Sequence, residues 1–131
     1  MTFLGELLAR PGQTFQLVHT STGRPLATRL EAAFESKARN RGLLGRDHFP
    51  PGAAFILAPC NAVHTFFMRF PIDILFVRRD GGVVKVCPNV RPWRVAGAFS
   101  AFATVEFPAG ELAGHNLVAG DTVELQTLDI H

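Results

Sequence analysis

The sequence predicts a single, mainly β domain folded as a β-sandwich or barrel, with one α-helix near residues 29–41. About seven or eight short segments, apolar or alternating, are separated by Gly, Pro, Asn and Asp turn residues. Hydrophobic residues make up 47% of the chain and charged residues 18%, a balance that supplies a core and excludes a disordered protein. A length of 131 residues suits one domain.

Alternation and turn signals locate the strands. The turn sequences 21–23 and 80–82 each predict a β-hairpin between the segments that flank them. In the segment 72–79, residues 72–77 are apolar on both faces apart from Asp73, which indicates a strand inside the core. In 103–107, Ala103, Val105 and Phe107 alternate with Thr104 and Glu106. The predicted strands are 14–20, 24–28, 53–58, 63–68, 72–79, 83–87, 103–107 and 123–126.

The helix prediction rests on capping and spacing. Thr28 and Glu31 stand three residues apart, as in a capping box, and Gly42 suits the C-terminal end. Between them an apolar residue recurs every four positions, at Leu30, Phe34 and Ala38. The arginines that follow lie where the helix dipole favours cations, so helix capping and solvation explain Arg39, Arg41 and Arg46. A single helical turn is also predicted over 108–114.

The chain divides into a loosely attached lead-in, residues 1–12, and one β-sandwich domain, residues 13–131. The N-terminal residues lack the basic and apolar regions of a signal peptide, and no apolar run reaches the length of a membrane span. We therefore expect a cytoplasmic protein with no membrane partner. Two cysteines, Cys60 and Cys87, do not form a disulfide scaffold, and both are expected to be reduced.

From Thr28 to Leu125 the sequence resembles the family known as domain of unknown function 192 (DUF192), a family of small bacterial and archaeal proteins. The resemblance implies one mostly β domain similar to a jelly roll, and it implies no activity, cofactor or catalytic residue. Phe67 replaces the usual Trp, Phe70 replaces a frequent Asn, and Cys60 and His64 resemble a subgroup feature. The residues that carry the resemblance are 38–46 (ARNRGLLGR), 66–69 (FFMR), 71–77 (PIDILFV), 105–110 (VEFPAG) and 120–123 (GDTV).

Asp73 is the most conspicuous polar residue, because both faces of its strand are apolar. An isolated ionised carboxylate is costly to bury, so Asp73 needs a partner. One hypothesis is an ion pair with a guanidinium, which can hold a carboxylate through two parallel hydrogen bonds. The other is a carboxylate that accepts hydrogen bonds from backbone N–H groups near Pro71. The candidate guanidinium partners are Arg69, Arg91 and Arg94.

Cys60 and His64 are the candidate catalytic residues. On a straight strand, residues four apart are separated by about 13 Å, too far for a nucleophile and its base. A turn at Asn61-Ala62 would bring them together, and His64 could then favour a reactive Cys60 thiolate. A zinc site would need a third ligand, such as Cys87 or His115. A buried, inert cysteine and a hydrogen-bonded histidine is the simpler interpretation, and no metal or cofactor is expected.

The sequence favours a non-enzymatic module that holds a small polar or anionic ligand in a pocket of the sandwich. His64, Arg69, Asp73 and Trp93 are its predicted ligand-binding residues, since polar groups converging on an apolar core are typical of a pocket. Trp93 could stack on a sugar or nucleobase, or simply cover the end of the sandwich. A thiol-dependent enzyme and a structural accessory protein are the alternatives. A net charge of +2, without a nucleic-acid motif, predicts no nucleic-acid partner.

Overall fold

The computed structural model describes residues 4–5 and 14–128, and in that part of the chain it contains ten β-strands and one short α-helix. The helix, α1, spans Ser36–Arg41. The mainly β fold predicted from the sequence is confirmed. The strands are β1 (Phe15–His19), β2 (Pro25–Ala27), β3 (Arg29–Ala33), β4 (Ala53–Leu57), β5 (Ala62–His64), β6 (Ile72–Val77), β7 (Val83–Val90), β8 (Val95–Gly97), β9 (Ala103–Pro108) and β10 (Val123–Thr127).

The strands form three sheets. Five strands make the largest sheet, in the order β3-β4-β9-β6-β7, and three make a second one, in the order β10-β1-β2. Strands β5 and β8 form a separate two-stranded ribbon. β3 is parallel to β4, and every other strand pair is antiparallel. The two hairpins predicted around residues 21–23 and 80–82 are both present, as β1–β2 and β6–β7.

Both faces of the five-stranded sheet are covered. One face packs against the three-stranded sheet, and this first core joins residues from the two sheets, as in a sandwich. The other face carries a second core, which is closed by the segments around α1 and by the β5–β8 ribbon. The first core includes Leu17, Leu26, Ile56, Leu75, Val105 and Val123. The second includes Leu43, Phe55, Met68, Ile74 and Phe76.

Strands β6 and β9 lie in the middle of this arrangement. All six residues of β6 are buried, and successive residues point alternately into the two cores. β9 pairs with β6 on one side and with β4 on the other. A polar side chain on either central strand is therefore enclosed, whichever face it occupies.

The helix predicted over residues 29–41 is present only at 36–41. Residues 29–33 form β3, which pairs with β4 from Arg29 opposite Ala53 to Ala33 opposite Leu57. Backbone bonds to a buried neighbouring strand outweigh the weak helix propensity of a short segment. The capping box is absent, since Glu31 instead accepts two hydrogen bonds from Arg46, at 2.9 and 2.8 Å. The helix does end at Gly42, as predicted.

Two further local predictions are corrected. The strand expected over 63–68 is limited to β5, and the turn after it is closed by a hydrogen bond from Met68 N–H to Thr65 O. The helical turn expected over 108–114 is a series of overlapping turns, in which Glu111, Ala113 and His115 each donate a backbone bond three residues back. Both segments are short, so the packing of the surrounding chain, and not their own propensity, decides their conformation.

Most of the predicted lead-in, residues 1–12, lies outside the described residues. Leu4 is described, and it is buried in the first core. Within the described ranges, no helix has the length and apolar character that crossing a membrane requires.

Gly42 offers a test of how the chain leaves α1. Its φ of 46° and ψ of −126° are accessible to glycine and strained for other residues. We expect Gly42→Ala to lower the free energy of unfolding by about 1–3 kcal/mol. The added Cβ would be 3.5 Å from its nearest neighbour, Arg39 O, so the loss is conformational and not steric. Urea unfolding measures it.

The matched control is Gly114→Ala, at an exposed glycine with no left-handed φ and open space where the Cβ would stand. We expect this substitution to change stability by less than about 0.5 kcal/mol. Equal losses at the two positions would contradict the structure of the helix end.

Candidate functional site

Asp73 is buried on the central strand β6, with 1% of its surface exposed. Its carboxylate accepts three backbone hydrogen bonds. Oδ1 receives the N–H of Asn89 at 2.8 Å, and Oδ2 receives those of Gly110 and Leu112 at 3.1 and 3.0 Å. Backbone N–H donors, the second hypothesis from the sequence, are therefore confirmed, but they belong to β7 and to the segment after β9 and not to the segment of Pro71.

The donors come from places where the backbone leaves a regular ladder. The β6–β7 register shifts between Ile72 and Ile74, so β7 carries an extra residue opposite Asp73. Asn89 sits in this bulge with a φ of 50°. Gly110 and Leu112 belong to the overlapping turns that follow β9. The carboxylate thus supplies an acceptor to N–H groups that have left the regular ladder, among them the buried one of Leu112.

The ion pair between Asp73 and an arginine does not form among the described residues. Arg69 is exposed and pairs with Asp47. Arg94 is also exposed, and its guanidinium lies 3.4 Å from the carbonyl oxygens of Pro92 and Trp93. Asp73 has no need of a cation, because charge-assisted bonds from the backbone already compensate its burial.

A cavity of about 400 Å³ opens beside the second core. Its wall is formed by α1 and the residues that follow it, by β5 and the segment before it, and by Leu57 of β4 and Glu106 of β9. Apolar side chains line part of it, among them Leu43, Leu57 and Met68. Its polar lining residues are Arg39, Asn40, Arg41, Asn61, His64 and Glu106.

Glu106 is the most unusual of these residues. It lies on β9 between Phe55 of β4 and Ile74 of β6, on the face opposite Val105 and Phe107. Only 4% of its surface is exposed. Within the described residues its carboxyl forms no hydrogen bond or ion pair, and desolvation by burial raises its pKa to about 7. Near neutral pH this carboxyl can therefore donate a hydrogen bond or accept one.

The cationic residues of the cavity come from α1. Arg39 is half-buried and donates to the carbonyls of Phe34 and Ala58 and to Ser36 Oγ. Arg41 is exposed at the opening. The salt bridges of the described chain join other residues, so neither guanidinium has a carboxylate partner there. Their charge is available to a molecule in the cavity.

Cys60 and His64 line the same cavity without contacting each other by a hydrogen bond. The Cys60 thiol donates to the carbonyl of Ala62 at 3.3 Å. His64 Nδ1 accepts the N–H of Phe66 at 3.3 Å, which assigns the ring proton to Nε2. Cys60 and Cys87 are both free thiols. The structure thus places the predicted nucleophile and base on one wall, with each bound to nearby backbone.

Trp93 stands outside the cavity, in contact with other aromatic rings. Its ring is 5.7 Å from that of Phe66 and 4.6 Å from that of Phe67, between centroids. Phe66 stacks in turn on His64 at 4.9 Å. His64, Phe66, Trp93 and Phe67 therefore form one continuous aromatic row that begins at the cavity wall.

Of the four predicted ligand-binding residues, the structure brings His64 and Trp93 together through Phe66. Asp73 and Arg69 do not line the cavity. The sequence interpretation missed Glu106, whose alternation with apolar neighbours is the pattern of an ordinary solvent-facing residue. It also assigned Arg39 and Arg41 to helix capping. The signal that could have identified them is their place within the segments 38–46 and 105–110, which carry the family resemblance.

In the described part of the chain, no three His, Cys, Asp or Glu side chains are close enough together to hold one metal ion. Cys60, His64 and Glu106 share the cavity lining without forming such a group.

Comparison with known proteins identifies the family. The model of DUF192, described as "Uncharacterized ACR", matches residues 17–125. The chain belongs to the DUF192 family. The matched range contains all five segments that carry the resemblance described above. It also contains every residue that lines the cavity. A comparison with proteins of curated function finds no match.

Two solved structures show the same fold as this DUF192 protein. A candidate transcription regulator from Sinorhizobium meliloti 1021 has a TM-score of 0.73 and 21% identity, over 86% of this chain and 92% of that one. A protein of unknown function from Novosphingobium aromaticivorans DSM 12444 has a TM-score of 0.71 and 25% identity, over 85% and 83% of the two chains. These similarities establish the architecture and assign no activity.

The backbone contacts of Asp73 predict a large effect of Asp73→Asn. An amide can replace only one carboxylate oxygen as an acceptor, so its NH₂ group would face a buried N–H donor. We expect the free energy of unfolding to fall by about 2–3 kcal/mol. The control is Asp47→Asn, at an exposed ion pair, with an expected loss below about 1 kcal/mol. Chemical denaturation of both variants measures the contrast, and similar losses would contradict the buried network.

The burial of Glu106 predicts a pH dependence of stability. Its pKa is about 7 in the folded state, against 4.5 for an unburied glutamate. Between these values the folded state binds the proton that the unfolded state has lost, so stability falls as pH rises from 4.5 to 7. Relative to Glu106→Gln, the free energy of unfolding of the wild type should fall by about 3 kcal/mol across this range and then stay constant at higher pH.

Urea unfolding of both proteins at several pH values from 4.5 to 8 measures this difference, and the comparison cancels other titrating groups. Glu124→Gln, at an exposed glutamate on β10, controls for the loss of a carboxyl. A difference between wild type and Glu106→Gln that does not change with pH would refute the assignment.

Proposed function

We propose that this protein is a non-enzymatic binding module that holds a small polar or anionic ligand in the cavity beside the second core. The observation that carries the proposal is Glu106, a carboxyl that is nearly fully buried, has no described partner and lines the cavity. Its carboxyl oxygens border the cavity and are not among the fully enclosed unpaired atoms of the described residues, so a ligand in the cavity can bond to them directly.

The charges at the opening favour a ligand with an anionic group. Arg39 and Arg41 contribute two guanidinium groups without carboxylate partners in the described chain. Guanidinium groups bind carboxylates and phosphates through paired, charge-assisted hydrogen bonds. Part of Arg39 is already bound to backbone carbonyls, which orients it, whereas Arg41 is free to turn towards an arriving ligand.

The remaining polar groups suit the body of such a ligand. Asn40 and Asn61 each offer an amide that can donate and accept, and His64 has Nε2 available beyond its bond to backbone. Glu106, at the buried end, accepts or donates according to its protonation. Apolar side chains complete the wall, which is the usual composition of a small-molecule pocket.

The binding proposal is favoured over a thiol-dependent enzyme because of the contacts of Cys60. Its thiol is bonded to the carbonyl of Ala62, and His64 uses Nδ1 to accept a backbone N–H. A nucleophile and its base must lie within hydrogen-bonding distance of each other. A binding role requires no such contact.

A thermal-shift screen of small carboxylates, phosphates and sulfonates tests the proposal. A true ligand at one hundred times its Kd should raise Tm on the order of 10 °C. Arg41→Gln and Glu106→Gln should each abolish most of this shift. Lys37→Gln is the matched control, because it removes a positive charge from α1 at a residue that does not line the cavity.

The comparison is made on the shift and not on Tm itself, since Glu106→Gln alters stability without ligand. If wild type, Arg41→Gln and Glu106→Gln respond alike to every compound that binds, the cavity is not the binding site and the proposal fails.

A further inference from the structure

The aromatic row continues the cavity onto the protein surface. It starts with His64 at the cavity wall and ends with Phe67, and adjacent ring centroids are 4.6–5.7 Å apart. Phe67 is 70% exposed and Trp93 is 56% exposed. Two large aromatic faces are thus presented to solvent directly beside an opening lined with polar groups.

The backbone holds both exposed rings in a costly conformation. Phe67 and Trp93 each have a φ of 66°, in the left-handed region. The other non-glycine residues described with positive φ are Asn89 and Asn116, a residue type that tolerates this region. An aromatic residue there costs of order 1–3 kcal/mol, and such strain is concentrated at functional sites. The two rings are displayed side by side at the expense of local stability.

The two segments that supply the aromatic row contain arginines and no acidic residue, and in the described part of the chain the one carboxylate that pairs with these arginines is Asp47, which binds Arg69. No Asp or Glu occurs between Asp47 and Asp73, or between Asp80 and Glu106. These two segments contain the whole β5–β8 ribbon and the aromatic row. Arg91 and Arg94, on either side of Trp93, are exposed. An anion that lies on the rings can therefore be attracted by Arg91 and Arg94, and the charge of Asp47 is offset by Arg69.

We propose that the aromatic row is the extended subsite of an acidic oligosaccharide, one sugar ring of which packs in the angle between Trp93 and Phe67, whose planes are inclined by 60°, while a carboxylate reaches the cavity. This inference rests on the proposed function and names the class of ligand. A pyranose ring has an apolar C–H face, which packs on an aromatic face, and a polar edge of hydroxyl groups. Arginine, asparagine and glutamate side chains have planar polar ends that can bond adjacent hydroxyls in pairs.

The charge of the surface argues against single-stranded nucleic acid. Stacking platforms for nucleic acid combine aromatic rings with a continuous cationic groove along the backbone. Here Arg69 is neutralised by Asp47, which leaves Arg91 and Arg94 beside the rings. The net charge of the chain is only +2. Two arginines suit the one or two carboxylates of a short acidic sugar better than a run of phosphates.

Trp93 provides a direct readout, because it is the only tryptophan in the chain. Stacking of a sugar ring should change its fluorescence emission and protect it from acrylamide quenching. We would titrate the full-length protein with galacturonate, glucuronate, mannuronate and guluronate trisaccharides. Galacturonate monosaccharide, a neutral galactose trisaccharide and an oligothymidylate complete the panel. Calorimetry would give affinities for variants without Trp93.

At least one acidic trisaccharide should bind with an altered Trp93 signal, and more tightly than the neutral one. Trp93→Ala and Phe67→Ala should each weaken trisaccharide binding by at least fivefold, as expected for loss of a stacking partner. Trp93→Phe should retain most of the affinity, because it keeps an aromatic face. Val118→Ala, at an exposed apolar residue outside the aromatic row, should leave binding unchanged.

The variants separate this inference from the proposed function. If Arg41→Gln weakens a ligand but Trp93→Ala and Phe67→Ala do not, the cavity binds the ligand and the stacking subsite is refuted. If neither set of variants affects binding, both proposals fail. Equal affinity for neutral and acidic trisaccharides, tighter Trp93-dependent binding of oligothymidylate, or no binding of any acidic sugar at millimolar concentration would each overturn the inference.

Discussion

The structure depends on one constraint: β6 and β9 are neighbouring strands in a sheet that is covered on both faces. Each carries one acidic residue, and the register places Glu106 opposite Ile74, next to Asp73 along β6. Because adjacent residues of a strand point to opposite faces, the two carboxyls lie on different sides of the same sheet. Each buried carboxyl needs a hydrogen-bonding partner. The two carboxyls differ in where that partner can come from.

On the face of the first core, the protein's own backbone supplies the partners of Asp73. Asp73 accepts hydrogen bonds from three N–H groups, one from the β7 bulge and two from the turns after β9, so one carboxylate joins two irregular segments of backbone. On the face of the second core, Glu106 lines a cavity and has no hydrogen-bonding partner in the described chain. A carboxylate bonded within the protein is a structural group, whereas one that borders accessible space without a partner in the described chain is suited to binding.

The sequence was sufficient to predict features that depend on neighbours along the chain. The β6–β7 hairpin follows from an apolar run and a Gly-rich turn, and the burial of Asp73 follows from the apolar residues on both sides of it. The end of α1 at Gly42 follows from the conformational freedom of glycine. These signals are local, and the structure agrees with them.

Features that depend on distant segments were not predictable in the same way. Residues 29–33 have helical spacing, but β4, more than twenty residues later, recruits them into a sheet. The sequence left open whether an arginine or backbone N–H groups would bind Asp73, because no side-chain pattern identifies backbone donors on distant segments. Glu106 has the alternation of a solvent-facing residue, and only the packing of α1 and the β5–β8 ribbon over that face encloses it.

β3 has a consequence for how these molecules behave towards one another. It is an edge strand of the five-stranded sheet. An unprotected edge strand can pair with a strand of a second molecule and extend the sheet. Arg29 and Glu31 place opposite charges along it, and the paired bonds from Arg46 lower the pKa of Glu31, which keeps that carboxylate ionised. These charges disfavour edge-to-edge pairing of β3 with a strand of another molecule.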